Sequence, residues 1–173
     1  MVGLVPRLLL VVLLASSVGC TAWGKSKPKG KPADGCCLNN PQVTSFQTVI
    51  NTSASPSTDE PERFEVIRSQ DRLDIVWPEL FAPNTPPSFT PPIDFDSEMV
   101  IVYSMGTQPS GCYSAEIEAV HAQGEALLVE VIEKEPAPSC VCTFSLVKPF
   151  HVIRLDGRKG PASLCVRRTQ LQC

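Results

Sequence analysis

Residues 99–103 read Met-Val-Ile-Val-Tyr and residues 113–119 read Tyr-Ser-Ala-Glu-Ile-Glu-Ala; between them these two stretches decide the fold. The first is apolar at every position, as a strand covered on both faces must be. In the second, Tyr113, Ala115, Ile117 and Ala119 alternate with Ser114, Glu116 and Glu118, so one face is dry and the other wet. Gln123-Gly124 turns the chain into 127–132 (LLVEVI), and 150–155 (FHVIRL) and 164–167 supply further strands. Upstream, 43–50 (VTSFQTVI) and 64–67 (FEVI) read as strands separated by a turn-rich stretch, 51–62.

Ser69 opens the one helix, which runs to Phe81. Ser69 can cap it, Asp71 sits in its first turn, and Leu73, Val76, Trp77 and Leu80 recur at helical spacing. Pro78 shortens or kinks it, and 83–92 (PNTPPSFTPP) is an extended surface connector. Short connections between neighbouring strands favour antiparallel pairing over crossover units. The expected class is therefore mainly β: an antiparallel meander sheet or sandwich with one short helix packed on it. There is no internal repeat.

The first residues predict a location. Arg7, the apolar run 8–15 (LLLVVLLA) and the small residues before Cys20 have the layout of a secretory signal. Val18-Gly19-Cys20 gives it the look of a bacterial lipoprotein signal, in which the thiol of Cys20 receives the lipid; Ser17 stands where such signals normally carry Leu, and an ordinary secretory signal is the alternative. A retained transmembrane helix is disfavoured, because the run is well short of the roughly 20 apolar residues a bilayer requires. The expected organisation is a signal peptide at 1–19, a lipid-anchored Lys/Pro-rich tether at 20–40, and a domain at 41–173. Thr21 rather than Asp after Cys20 leans the sorting towards the outer membrane of a cell envelope.

Without residues 1–19 the chain has 154 residues, enough for one domain and a tail. It then holds 14 basic against 18 acidic side chains, which argues against a nucleic-acid partner. Lys25, Lys27, Lys29 and Lys31, spaced by Ser, Pro and Gly, read as a solvated spacer rather than a contact with anionic lipid. Besides Cys20 there are seven cysteines, a density that in an exported chain implies disulfides. A hairpin about Gln123-Gly124 brings Cys112 close to Cys140 and Cys142, and a bridge to one of these two is expected. Cys165 and Cys173 either pair with each other or reach Cys36 and Cys37. Seven is odd, so one thiol should stay free or pair with another chain.

Catalytic and cofactor patterns are weak. Gly19 to Ser26 fits a phosphate-binding loop, but its first Gly belongs to the leader, and Pro28 and Pro32 follow where a helix must run. Cys140-Val-Cys142 with Cys112, His121 and His151 lacks the cysteine spacing of structural zinc sites. A nucleophilic Cys112 activated by a histidine is a poorer account of that residue than a disulfide. Asp94, Asp96 and Glu98 suit the turn into a strand better than a calcium site. The Asn51 sequon has no role in a bacterial lipoprotein. No metal, cofactor or catalytic residue is expected.

Four pieces, in order, carry a resemblance: 93–100 (IDFDSEMV), 106–113 (GTQPSGCY), 135–138 (EPAP) and 148–153 (KPFHVI). Together they are similar to the C-terminal domain of the protease complex subunit PrcB, and the similarity extends upstream through the helix to cover most of 43–155. Cys112, where that family usually has a second Gly before the Tyr, and Cys140 and Cys142, in its variable loop, depart from the pattern. The resemblance implies a small, exported, non-enzymatic domain that supports assembly of a surface protease. The expected function is thus a lipid-anchored module holding a protein partner, a secreted protease being the implied class. The expected contact is the loop bearing Gly106, Thr107, Gln108, Gly111 and Tyr113, because loops on rigid strands carry recognition. A protease inhibitor using that same loop as a wedge is the alternative, and an enzyme of unknown class the third reading.

Overall fold

The structure is a computed structural model in which residues 42–56, 58–81 and 89–173 are described. The expected leader, Cys20, the lysine tether and most of the proline connector lie outside the described residues.

Strand β4 (Glu98–Ser104) is the middle of the molecule. Its side chains alternate between two cores: Met99, Ile101 and Tyr103 face the sheet to which β4 does not belong, while Val100 and Val102 face the helix. That two-sided burial is why every position in 99–103 is apolar or aromatic. Around it stand β1 (Gln42–Thr44), β2 (Gln47–Ala54), β3 (Arg63–Ile67), β5 (Ser114–Gln123), β6 (Ala126–Pro136), β7 (Lys148–Asp156) and β8 (Ala162–Leu171). They form two four-stranded sheets, ordered β1-β5-β6-β8 and β2-β7-β4-β3. The sheets face each other across a core of Met99, Ile101, Ile117, Val120, Leu127, Val129, Val131, Ile153 and Leu155.

Helix α1 (Gln70–Glu79) covers the outer face of the second sheet. Ser69 caps it, its hydroxyl accepting from the Arg72 N–H. Leu73, Val76 and Trp77 pack on Ile67, Val100, Val102, Phe150 and Val152. The helix ends at Glu79, one residue after Pro78, and not at Phe81. Phe81 instead turns back and meets Phe150 edge-on, with ring centres 5.4 Å apart.

The sandwich, not the meander, is what forms, and it departs from the expected order in two places. Residues 43–50 are not one strand: β1 pairs with β5 in the first sheet and β2 with β7 in the second, the chain crossing between sheets at Ser45-Phe46 with Phe46 packed into the core between them. The second half then runs on as strand to Ala54, through residues read as turn. The other departure is a parallel pair, β6 with β8. Because β7 lies in the opposite sheet, the chain makes a full crossover before β8 and returns in the direction of β6.

Candidate functional site

Two loops close one end of the sandwich: 105–113, between β4 and β5, and 137–147, between β6 and β7. They are zipped to each other. Gln108 and Val147 exchange both backbone hydrogen bonds, at 2.7 and 3.0 Å, and Gly111 N–H donates to the Thr143 carbonyl at 3.1 Å. A Cβ at Gly111 would meet the Thr143 hydroxyl, which would have to turn away to admit it. Cys112 is bonded to Cys142, with Cα atoms 5.5 Å apart, and Cys140 to Cys173 at the end of the chain.

Of the two partners open to Cys112, the structure therefore uses Cys142. Cys173 pairs with Cys140 rather than with Cys165, Cys36 or Cys37. The reason is the parallel β6–β8 pair, which sets Leu171 opposite Pro136 and so delivers the C-terminus beside Cys140. Cys165 is also a disulfide cysteine, and no cysteine is free among the described residues; Cys36 and Cys37, on which the expected odd thiol also depends, lie outside them.

The first loop is pinned from behind as well. Gly106 has φ +73°, and a Cβ there would lie 2.6 Å from the Glu60 carbonyl, so backbone passes directly over backbone. The Thr107 hydroxyl accepts from the Glu60 N–H at 2.9 Å and donates to the Thr58 carbonyl at 3.1 Å. The Gln108 side chain donates to the Met105 carbonyl. Tyr113 is half-buried against the core between the sheets. The polar groups of Thr107 and Gln108 thus serve the fold. The surface at this end comes from the facing loop instead: Val141 and Phe144 are 98% and 104% exposed, and Leu146 is 53% exposed. Sequence reasoning passed over these residues, although residues 137–147 contain no charged side chain in a chain that is 19% charged.

Polar groups are buried beneath the tip. Tyr103 donates its hydroxyl to Glu133 Oε1 at 2.6 Å, and Arg168 Nε donates to Glu133 Oε2 at 2.7 Å. Burial, and then the hydrogen bond to Glu133, push the Tyr103 hydroxyl well above its ordinary range. The Glu133 charge raises Arg168 likewise. Lys148, almost fully buried, donates to Glu60 Oε2 and to the Glu79 carbonyl, both at 2.7 Å, and so ties the segment behind Gly106 to the C-terminal end of α1. An open hollow lies here, its charged side chains Glu60, Glu62, Arg63, Glu79 and Lys148 set around Pro61 and Leu80.

His151 sits between the sheets. Its Nδ1 accepts the Ile117 N–H at 2.8 Å, beside the bulge in β5, so Nε2 carries the proton and donates to Thr48 Oγ1 at 2.9 Å. Burial lowers its pKa, partly offset by Glu116. His121 lies on β5, 3.4 Å from Glu130 on β6. The two histidines and the disulfide-bonded Cys112 have separate partners, and no group of three metal-ligating side chains is gathered among the described residues. Asp94 closes a turn, its carboxylate accepting from the Asp96 N–H and the Ser97 hydroxyl.

The fold and the tip define a class: a helix-backed β-sandwich with a disulfide-clamped loop pair on one end, one loop of which exposes apolar side chains. Within it, residues 99–156 match the family described as PrcB C-terminal. The matched stretch runs from β4 through β7 and includes both tip loops; the upstream extension through α1 rests on the resemblance of the sequence alone. No curated protein and no solved structure matches the chain.

Proposed function

We propose that the chain is an exported, lipid-anchored, non-enzymatic module that holds a protein partner in the cell envelope, within a protease complex. The observation that carries this reading is the PrcB C-terminal match over the segment that builds the tip. The tip supports it physically. Exposed apolar side chains on a loop that is already ordered bind with little further loss of entropy, which is what a recognition surface needs. The anchor is Cys20, and the chain between it and β1 holds the sandwich off the membrane, with the outer membrane as the favoured site. Several acyl chains at about 0.8 kcal/mol per buried CH₂ hold such a protein firmly.

Crosslinking in native membranes tests the reading. Wild-type protein should capture a specific envelope partner with proteolytic activity, and Cys20→Ala should lose both detergent-phase partitioning and capture at the membrane. Membrane retention of Cys20→Ala with unchanged processing would overturn the anchor. Failure to enrich any peptidase over a variant lacking the tip side chains would overturn the partner class.

A further inference from the structure

Phe144 stands at the crown of the tip between two short hydroxyl side chains. Thr143 and Ser145 join across it, Ser145 Oγ to Thr143 Oγ1 at 3.4 Å, while the Thr143 carbonyl is held by Gly111 N–H. Two residues before Phe144, Cys142 is bonded to Cys112; four before it, Cys140 is bonded to Cys173. Among the described residues, the Phe144 N–H and C=O have no partner. At Phe144 the segment therefore offers an unpaired N–H and C=O together with a fully exposed aromatic side chain, held in place from either side.

We infer that residues 141–146 are a substrate-like wedge that enters the peptide-binding cleft of an endopeptidase, with Phe144 filling an apolar specificity pocket and blocking the cleft. This rests on the reading of the chain as a protein-binding module and names the part of the partner it engages. A peptidase cleft pairs with the main chain of its substrate and reads one side chain in a pocket, and the wedge presents both. The clamps give it a low ordering cost, as rigid inhibitors require.

Charge and shape decide against two other occupants. A convex apolar tip needs a concave receptor free of charges, whereas the hollow of a second copy sets Glu60, Glu62, Arg63, Glu79 and Lys148 around Pro61 and Leu80. An anionic bilayer surface attracts basic side chains, and residues 137–147 have none.

The test uses the oxidised full chain, purified in detergent, against chymotrypsin, whose pocket is an apolar slot, and trypsin, whose pocket holds a carboxylate. The wild type should inhibit chymotrypsin competitively and leave trypsin untouched. Phe144→Asp should weaken inhibition roughly thirtyfold or more, as loss of a central anchor does, and Phe144→Lys should move inhibition to trypsin. Phe144 has no packing role, so both variants fold, and an unchanged melting profile checks this. No inhibition of chymotrypsin, or inhibition that Phe144→Asp leaves intact, overturns the wedge. So does a tip-dependent dimer in sedimentation, or tip-dependent binding of unacylated protein to vesicles of anionic phospholipid, without inhibition. Partner capture in native membranes that persists in Phe144→Asp likewise overturns the wedge while leaving the module reading in place.

Discussion

The helix-side core and the clamped tip are ordered by opposite means. Between α1 and the second sheet, Leu73, Val76, Leu80, Val100, Val102, Phe150 and Val152 are all essentially inaccessible to water. Burial at about 25 cal/mol per Å² of apolar surface suffices there, and neither the Cys112–Cys142 nor the Cys140–Cys173 bond touches this core. At the tip, Val141, Phe144 and Leu146 bury little and gain little from folding. Order there comes from two disulfides, the Gln108–Val147 pair and the Gly111–Thr143 contact. Apolar side chains can be left outside, for a partner, only where something other than burial holds the loop.

The largest effect should follow from damaging the helix-side core. Phe150→Ala removes a buried ring that Phe81 meets edge-on, and should cost about 3–5 kcal/mol in urea unfolding. Cys112 and Cys142 should still pair in the fraction that folds; scrambled disulfides in peptide maps would show that the two regions are not independent.

Opening the tip comes next. Replacing Cys112 and Cys142 together by Ser releases a loop of 30-residue separation and should cost about 3 kcal/mol, a fall of roughly 10 °C in thermal midpoint. Hydrogen exchange at Gly111 should speed up while the amides of β4 stay slow. An unchanged midpoint would mean that the backbone pairing alone orders the loops.

Tyr103→Phe probes the buried polar layer between the two regions. Glu133 would keep Arg168 but lose a donor inside the core, costing about 2 kcal/mol by chemical denaturation. A neutral result would show that water replaces the hydroxyl.

His151 should impose a pH dependence of smaller size. Its folded pKa lies below the ordinary value near 6.5, because burial and the Ile117 N–H both require neutral imidazole. Below about pH 6.5 the unfolded chain binds a proton that the fold refuses. This contribution is therefore complete above that pH and is lost as pH falls towards the folded pKa, with a slope of at most about 1.4 kcal/mol per pH unit. Comparing wild type with His151→Asn between roughly pH 5.5 and 7 isolates it, and parallel curves would contradict it. The smallest effect on stability should be that of Phe144→Asp, within about 0.5 kcal/mol, since the ring touches solvent alone.

Much of this architecture was written locally. The apolar run at 99–103 announced a strand with two covered faces, the alternation from Tyr113 announced one with a wet face, and Ser69 with Leu73, Val76 and Trp77 announced a capped helix lying on a sheet. These are properties of consecutive residues, fixed by the period of two in strands and 3.6 in helices. The cysteine density announced cross-links, and the spacing of Cys112 from Cys140 and Cys142 limited where one of them could go.

What local pattern could not carry was decided by tertiary structure. Nothing in 43–50 marks Ser45-Phe46 as a crossing between sheets, because either sheet would accept β-branched residues there. The parallel β6–β8 pair depends on where β7 is placed, and only that pairing brings Cys173 to Cys140. Gly106, Thr107 and Gln108 read as a presented loop because small and polar residues on a turn usually face water; Glu60, distant in sequence, claims the Thr107 hydroxyl. Phe144, which as an isolated residue reads as core, is left outside on the loop that the Cys112–Cys142 bond and the Gln108–Val147 pair hold. Sequence period set the faces of the strands, and long-range pairing chose which loop is presented.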